Sequence, residues 1–218
     1  MLSVVIQCAG SKQLGAGTLR DDMGRSVRFV ASPSVASTSP DALSVTPDSI
    51  AADGKSWRQH LLEYNDKDGS ANPCRLLMAG SLYRPQIYRA LVDKLGALQV
   101  FILSAGWGLI RSDFLTPDYN ITFSAQAEAY ARRRTKDVYH DFRMLGPGQQ
   151  DDEVRFFGGT DYLPHFARLT DDFRGRRIAY FKAQAARETP GLEMIYYETR
   201  VSTNWHYEAA EGFLAGRL

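Results

Sequence analysis

The sequence has little with which to bind a metal or build a disulfide framework. It holds two cysteines, Cys8 and Cys74, and four scattered histidines, His60, His140, His165 and His206. No subset of them has zinc-site spacing, so neither a metal nor a cofactor is expected. Two thiols without a secretory leader point to a reducing compartment. The N-terminus, Met1-Leu-Ser-Val-Val-Ile-Gln7, lacks a basic region and a long apolar run, and reads as a first strand. No segment carries the unbroken apolar stretch that a membrane-spanning helix needs. Together these absences predict a cytoplasmic protein with no membrane partner. Excess charge is missing too: 26 Lys+Arg against 25 Asp+Glu leave a formal net charge of +1. Nucleic-acid binding therefore requires a local basic patch. The chain contains no Walker motif, nucleophile elbow or Ser-His-Asp order.

What is present suits one globular domain. The 218 residues are 44% hydrophobic and 23% charged, enough for a sizeable core. Val4 to Cys8 reads as a strand that ends in Ala9-Gly10-Ser11-Lys12, and Arg25 to Val30 as a second strand. Ser32 to Ser49 is rich in Ser, Ala, Pro and Thr, and reads as an exposed loop within an insertion at about 32–53. Gly54 to Tyr64 has helical spacing at Trp57, Leu61 and Tyr64. Arg75 to Ala79 reads as a strand running into Gly80-Ser81-Leu-Tyr83-Arg84. A helix over Gln86 to Leu95 puts Ile87, Leu91 and Leu95 on one face, with Gly96 as its stop. The strand Gln99 to Leu103 then completes a strand–helix–strand unit.

Further on, Ser124 caps an expected helix to about Tyr139. Phe156 and Phe157 lead into a diglycine turn and a helix capped by Thr160 or Asp161. Strands follow at Arg177 to Phe181 and Glu193 to Tyr197, and Asn204 to Leu218 closes as a helix. This order predicts a single α/β domain over residues 1–218. The expected architecture is three-layer α/β/α with a mostly parallel central sheet.

Such sheets build ligand sites where loops leave the carboxyl ends of their strands. Three strand ends, at Lys12, Tyr83 and Ser104, would share that edge. The richest loop runs from Ser104 to Asn120 and carries Trp107, Asp113, Asp118 and Tyr119 as well. Its sequence, Ile102-Leu-Ser-Ala-Gly-Trp-Gly-Leu-Ile110 followed by Tyr119-Asn-Ile-Thr122, resembles the YaaA-like family of bacterial peroxide-stress proteins and related phage domains. That family carries ILS-G/A-x-Y/W-G-L/V-L/I and then P-Y-[RD]-x-[ET]. Cys8-Ala-Gly-Ser-Lys12 and Ser81-Leu-Tyr83 are similar to its first two elements. Asn120 stands where the family more often has a charge. The resemblance implies a nucleic-acid base or nucleotide as ligand, and DNA as partner.

The loops carry the groups that cleavage of a base–sugar bond requires. Such cleavage passes through an oxocarbenium-like centre that a carboxylate stabilises, while donors take the charge on the departing base. The base must first leave the stack. Asp118, Asp113, Asn120 and Lys12 are the catalytic candidates. Ser11, Ser81, Tyr83, Arg84, Ser104, Trp107 and Tyr119 are the base- or ligand-binding candidates. Arg132, Arg133, Arg134 and Lys136, with Arg174, Arg176 and Arg177, would follow a DNA backbone. Gly158-Gly159 before a helix offers a weak anion site. The leading expectation is a DNA glycosylase that excises a modified base, with defence against phage DNA as its setting. A non-enzymatic DNA-binding stress protein and an enzyme acting on free nucleotides stay open.

Overall fold

The run Ser3-Val-Val-Ile6 is enclosed on all sides, because it lies at the heart of a sheet where strands are buried on both faces. The computed structural model describes residues 1–134, 136–182, 188–201 and 203–218. Along the chain come β1 (Leu2–Gln7), β2 (Ser26–Val30), β3 (Ala42–Val45), α1 (Trp57–Lys67), β4 (Leu77–Met78), α2 (Ala79–Leu82) and α3 (Ile87–Leu95). Then follow β5 (Val100–Ser104), β6 (Gly108–Arg111), β7 (Leu115–Thr116), β8 (Tyr119–Asn120) and β9 (Phe142–Arg143). The last elements are β10 (Glu153–Phe157), α4 (Leu163–Leu169), β11 (Arg176–Phe181), β12 (Glu193–Tyr196) and α5 (Trp205–Leu214).

A seven-stranded sheet in the order β12-β11-β10-β1-β5-β6-β9 forms the centre. Every pairing in it is parallel except the β5–β6 hairpin. Gly108 makes that hairpin possible. Its φ is +88°, and a Cβ there would lie 2.7 Å from the backbone of Phe142, so an L side chain is excluded by conformation and by space. Helix α3 packs on β5 and α5, and α4 packs on β6. Phe156 stacks on Phe166 of α4 with centroids 4.6 Å apart, while Phe157 meets Phe213 of α5 at 5.6 Å. All but two of the buried apolar residues, Val30 and Ala131, form one continuous core. No helix among the described residues is long and apolar enough to cross a membrane.

The structure departs from the sequence expectations in three places. Arg75 to Ala79 does not join the central sheet: only Leu77 and Met78 are extended, and they pair with β7 in a separate two-stranded ladder. The crossover into β5 therefore starts from β1. The Ser- and Pro-rich stretch is more than a loop, since it contains a 3-10 turn at Pro33–Val35 and β3. Strand β3 joins β2 and β8 in a second, three-stranded parallel sheet. The third departure is the helix expected from Ser124 to Tyr139, which does not form among the described residues (Thr135 lies outside them). Instead the chain doubles back: Thr122 exchanges backbone hydrogen bonds with Ala131 and Arg133, and Tyr130 accepts from Ala31 and Ser32. Tertiary pairing overrides the helical propensity of this alanine-rich segment.

Candidate functional site

The carboxyl end of β1 supplies the first wall of the site. After Gln7 the chain leaves the sheet, and Lys12 makes an isolated antiparallel bridge to Tyr83. Gln13 N–H donates to the Leu82 carbonyl at 2.8 Å, and Arg84 Nε donates to the Lys12 carbonyl at 2.7 Å. The loops at Lys12 and Tyr83 are thus adjacent, as their strand-end positions suggested.

The end of β5 supplies the floor. The Ser104 hydroxyl accepts from the backbone N–H groups of Gly106 and Trp107 and donates to the Tyr119 hydroxyl at 2.9 Å. Tyr119 and Tyr83 share a hydrogen bond of 2.7 Å. Beside them the Cys8 thiol lies 3.2 Å from the Tyr162 hydroxyl, and the Tyr88 hydroxyl donates to the Gln7 carbonyl at 2.6 Å. Burial pushes Tyr83, Tyr88, Tyr119 and Tyr162 well above the usual phenol range, so their hydroxyls stay protonated.

Above this floor opens a cleft of about 940 Å³. Lys12, Asp118, Tyr119 and Asn120 line it together. The small sheet contributes Val27 to Val30 and Ser44, and the Ser- and Pro-rich stretch contributes Val35 to Ser37. The Lys12 ammonium sits 4.2 Å from the Tyr119 ring centroid. Desolvation lowers its pKa, and the charges of Cys8 and Asp118 offset part of that shift. Asp118 is exposed, with its backbone N–H held by the Gly17 carbonyl at 2.9 Å. Asn120 donates from Nδ2 to the Tyr130 hydroxyl at 3.1 Å. The cleft therefore joins a desolvated amine, a carboxylate and an amide on an aromatic base.

Several candidates stand elsewhere. Trp107 is fully buried against Phe29, Tyr119 and Phe142, so it shapes the core and cannot stack on a ligand. Tyr83 and Ser104 are likewise enclosed, beneath the cleft. Asp113 pairs with Arg111 at 2.6 Å. It follows β6, whose end lies against the start of β5, so it occupies the opposite edge of the sheet. Ser11, Ser81 and Arg84 are exposed and are not among the residues lining the cleft.

The basic residues divide in the same way. Arg133 is buried: its guanidinium grips the Asp141 carboxylate at 2.8 and 2.9 Å and donates to the Ala105 carbonyl at 2.7 Å. Arg132, Arg134 and Lys136 are exposed just beyond Glu128 and Tyr130 of the cleft wall. Arg176 pairs with Glu153 and Glu193, and Arg177 donates to the carbonyls of Ala167 and Thr170. With Arg174 they sit at the start of β11, the edge away from the cleft. The diglycine turn is occupied too, since Gly159 N–H donates to Gln7 Oε1 at 2.6 Å.

Sequence reading missed Arg58 and Tyr130. Arg58 is buried, pairs with Asp48 at 2.6 Å, and holds the carbonyls of Gly106 and Trp107 at 3.0 and 2.9 Å. It fixes the loop that follows β5. Its position one residue past the α1 start gave no sign of that reach. Tyr130 lay inside the expected helix, where a tyrosine reads as packing. Among the described residues no group of three His, Cys, Asp or Glu could hold a metal ion. No family model, curated protein or solved structure matches the chain.

Proposed function

We propose that the protein hydrolyses the N-glycosidic bond of a modified base in DNA, with the base flipped into the cleft and an abasic site left behind. The observation that carries this reading is the meeting of Lys12, Asp118 and Asn120 on one cleft. Its volume suits a base with its sugar. In this scheme the Asp118 carboxylate orients water on the anomeric carbon and stabilises its developing charge. Lys12 gives a proton to the departing base, and desolvation makes it the readier donor. The Asn120 amide reads the base edge, with Tyr130 as the aromatic surface in place of Trp107.

Arg132, Arg134 and Lys136, exposed beyond that wall, would hold flanking phosphates. We place the protein in the cytoplasm, with phage DNA as its target. The fold is proposed as three layers: neighbouring residues of a strand point to opposite faces, and Phe156 and Phe157 of β10 meet α4 and α5 respectively.

The decisive experiment incubates purified protein with genomic DNA from phages that carry modified bases. Mass spectrometry should find a free base, and alkali should cut the DNA at the resulting abasic sites. Release of no base from any such DNA overturns the reading. A second reading, action on free nucleotides, is favoured by the burial of Arg133 and the pairing of Arg176, which thin the basic track. Base release from mononucleotides but not from DNA would establish it instead.

A further inference from the structure

We infer that Lys12 also forms an imine with the sugar aldehyde of an abasic site and cuts the strand there, as a lyase. The inference rests on the proposed base excision for its place in the reaction, and on the cleft for its geometry. The chain has six lysines, at positions 12, 55, 67, 94, 136 and 182, and Lys12 is the one that lines the cleft. An amine is a nucleophile only when neutral, and desolvation favours the neutral form. The Lys12 amine lies 4.2 Å from the Tyr119 ring centroid in the cleft it shares with the Asp118 carboxylate, and desolvation there lowers its pKa although the charges of Cys8 and Asp118 offset part of that shift. Once Lys12 has passed its proton to the departing base it is a neutral amine, beside the sugar that has just lost that base.

The chemistry closes with the groups present. The ring-opened sugar carries an aldehyde at C1′. The Lys12 nitrogen adds to that carbon, and the adduct loses water to give a protonated imine. Asp118 takes a proton from C2′, the electron pair moves toward C3′, and the C3′–O bond breaks with the phosphate as leaving group. Water then hydrolyses the imine, returning the amine. The products are a 5′-phosphate end and a 3′ unsaturated aldehyde. No oxidant, reductant or metal enters.

The test needs no knowledge of the modified base. A duplex with one aldehydic abasic site, made by removing uracil from a deoxyuridine-containing strand, is mixed with the full chain and sodium borohydride. Borohydride reduces the imine to a stable amine. The expected result is a covalent protein–DNA adduct that maps to Lys12 by peptide mass spectrometry, with strand cleavage when borohydride is left out. Lys12→Arg, which keeps the charge but not the nucleophile, should abolish both. A duplex with a tetrahydrofuran site, which has no aldehyde, should give neither. Absence of an adduct, mapping to another lysine, or equal trapping by Lys12→Arg overturns the inference. Base release is scored separately. Release without an adduct defeats the lyase alone, and an adduct without release from any modified DNA defeats the excision alone.

Discussion

The hydroxyls of Tyr83 and Tyr119 lie 2.7 Å apart beneath the cleft, and Ser104 donates to the second of them. This chain of buried hydroxyls ties the end of β5 to the two segments that carry Lys12 and Asp118. Tyr119→Phe keeps the ring under Lys12 but leaves two buried hydroxyls without their partner. An unsatisfied buried polar group costs about 1–3 kcal/mol, so a loss of that size is expected in urea unfolding. The ring's contact with Lys12 survives, so base release should fall far less than in Lys12→Ala.

The central sheet was legible because its strands announce themselves locally. Val4 to Ile6, Val100 to Leu103 and the Phe156-Phe157 pair are apolar runs closed by small or polar residues; β5 begins and ends within one residue of expectation, while β1 begins two residues and β10 three residues earlier than expected. The site was legible only at strand ends, where Lys12, Asp118, Tyr119 and Asn120 converge. The remainder depended on contacts distant in sequence. Arg133 looked like a solvated helix face until Asp141 and the Ala105 carbonyl drew it inward. Asp113 looked equivalent to Asp118, yet the β5–β6 hairpin carries it to the other edge. Strand β3 carries no local signal, because its partner β2 defines it.

Acid should weaken the fold through two histidines. Burial lowers the pKa of His165 to about 4, with Asp141 opposing that shift, and burial alone lowers His206 to about 4. In the unfolded chain both titrate near 6.5. Between those values the unfolded state binds more protons, so stability falls as pH drops from about 6.5 toward 4. The loss approaches on the order of 3 kcal/mol per histidine. Above pH 7 these groups give no slope. Urea titrations at a series of pH values should show the fall, and a His165→Gln/His206→Gln variant should flatten it. A flat profile in the parent chain would contradict these buried neutral rings.

Alanine at the arginine run separates structure from binding. Arg133→Ala leaves the almost wholly enclosed Asp141 carboxylate with Arg168 as its remaining cation, and removing one partner of a buried pair costs up to about 3–5 kcal/mol. Its unfolding midpoint should drop sharply whatever DNA does. Arg132→Ala, Arg134→Ala and Lys136→Ala touch exposed side chains, and each should leave stability within about 0.5 kcal/mol. If they face phosphates, the triple variant should flatten the salt dependence of DNA binding by up to about one charge per residue. An unchanged salt slope would remove them from the interface.

Asp113, which follows β6, and Asp118, which follows β7, make the sharpest contrast, since composition cannot tell them apart. Asp118 lines the cleft and its charge is felt at Lys12. Asp113 belongs to a partly exposed pair with Arg111 on the far edge of the sheet. Asp118→Asn keeps the shape but removes the carboxylate that would activate water, so base release should fall by about 100- to 10,000-fold. The same change removes an attraction that keeps Lys12 protonated, so the Lys12 amine should titrate at lower pH than in the parent. Asp113→Asn removes a partly exposed ion pair worth about 0–1 kcal/mol, and base release should hold at the parental rate. Single-turnover kinetics on one modified duplex measures both variants side by side. If Asp113→Asn is the one that fails, the cleft is not where the bond is cut.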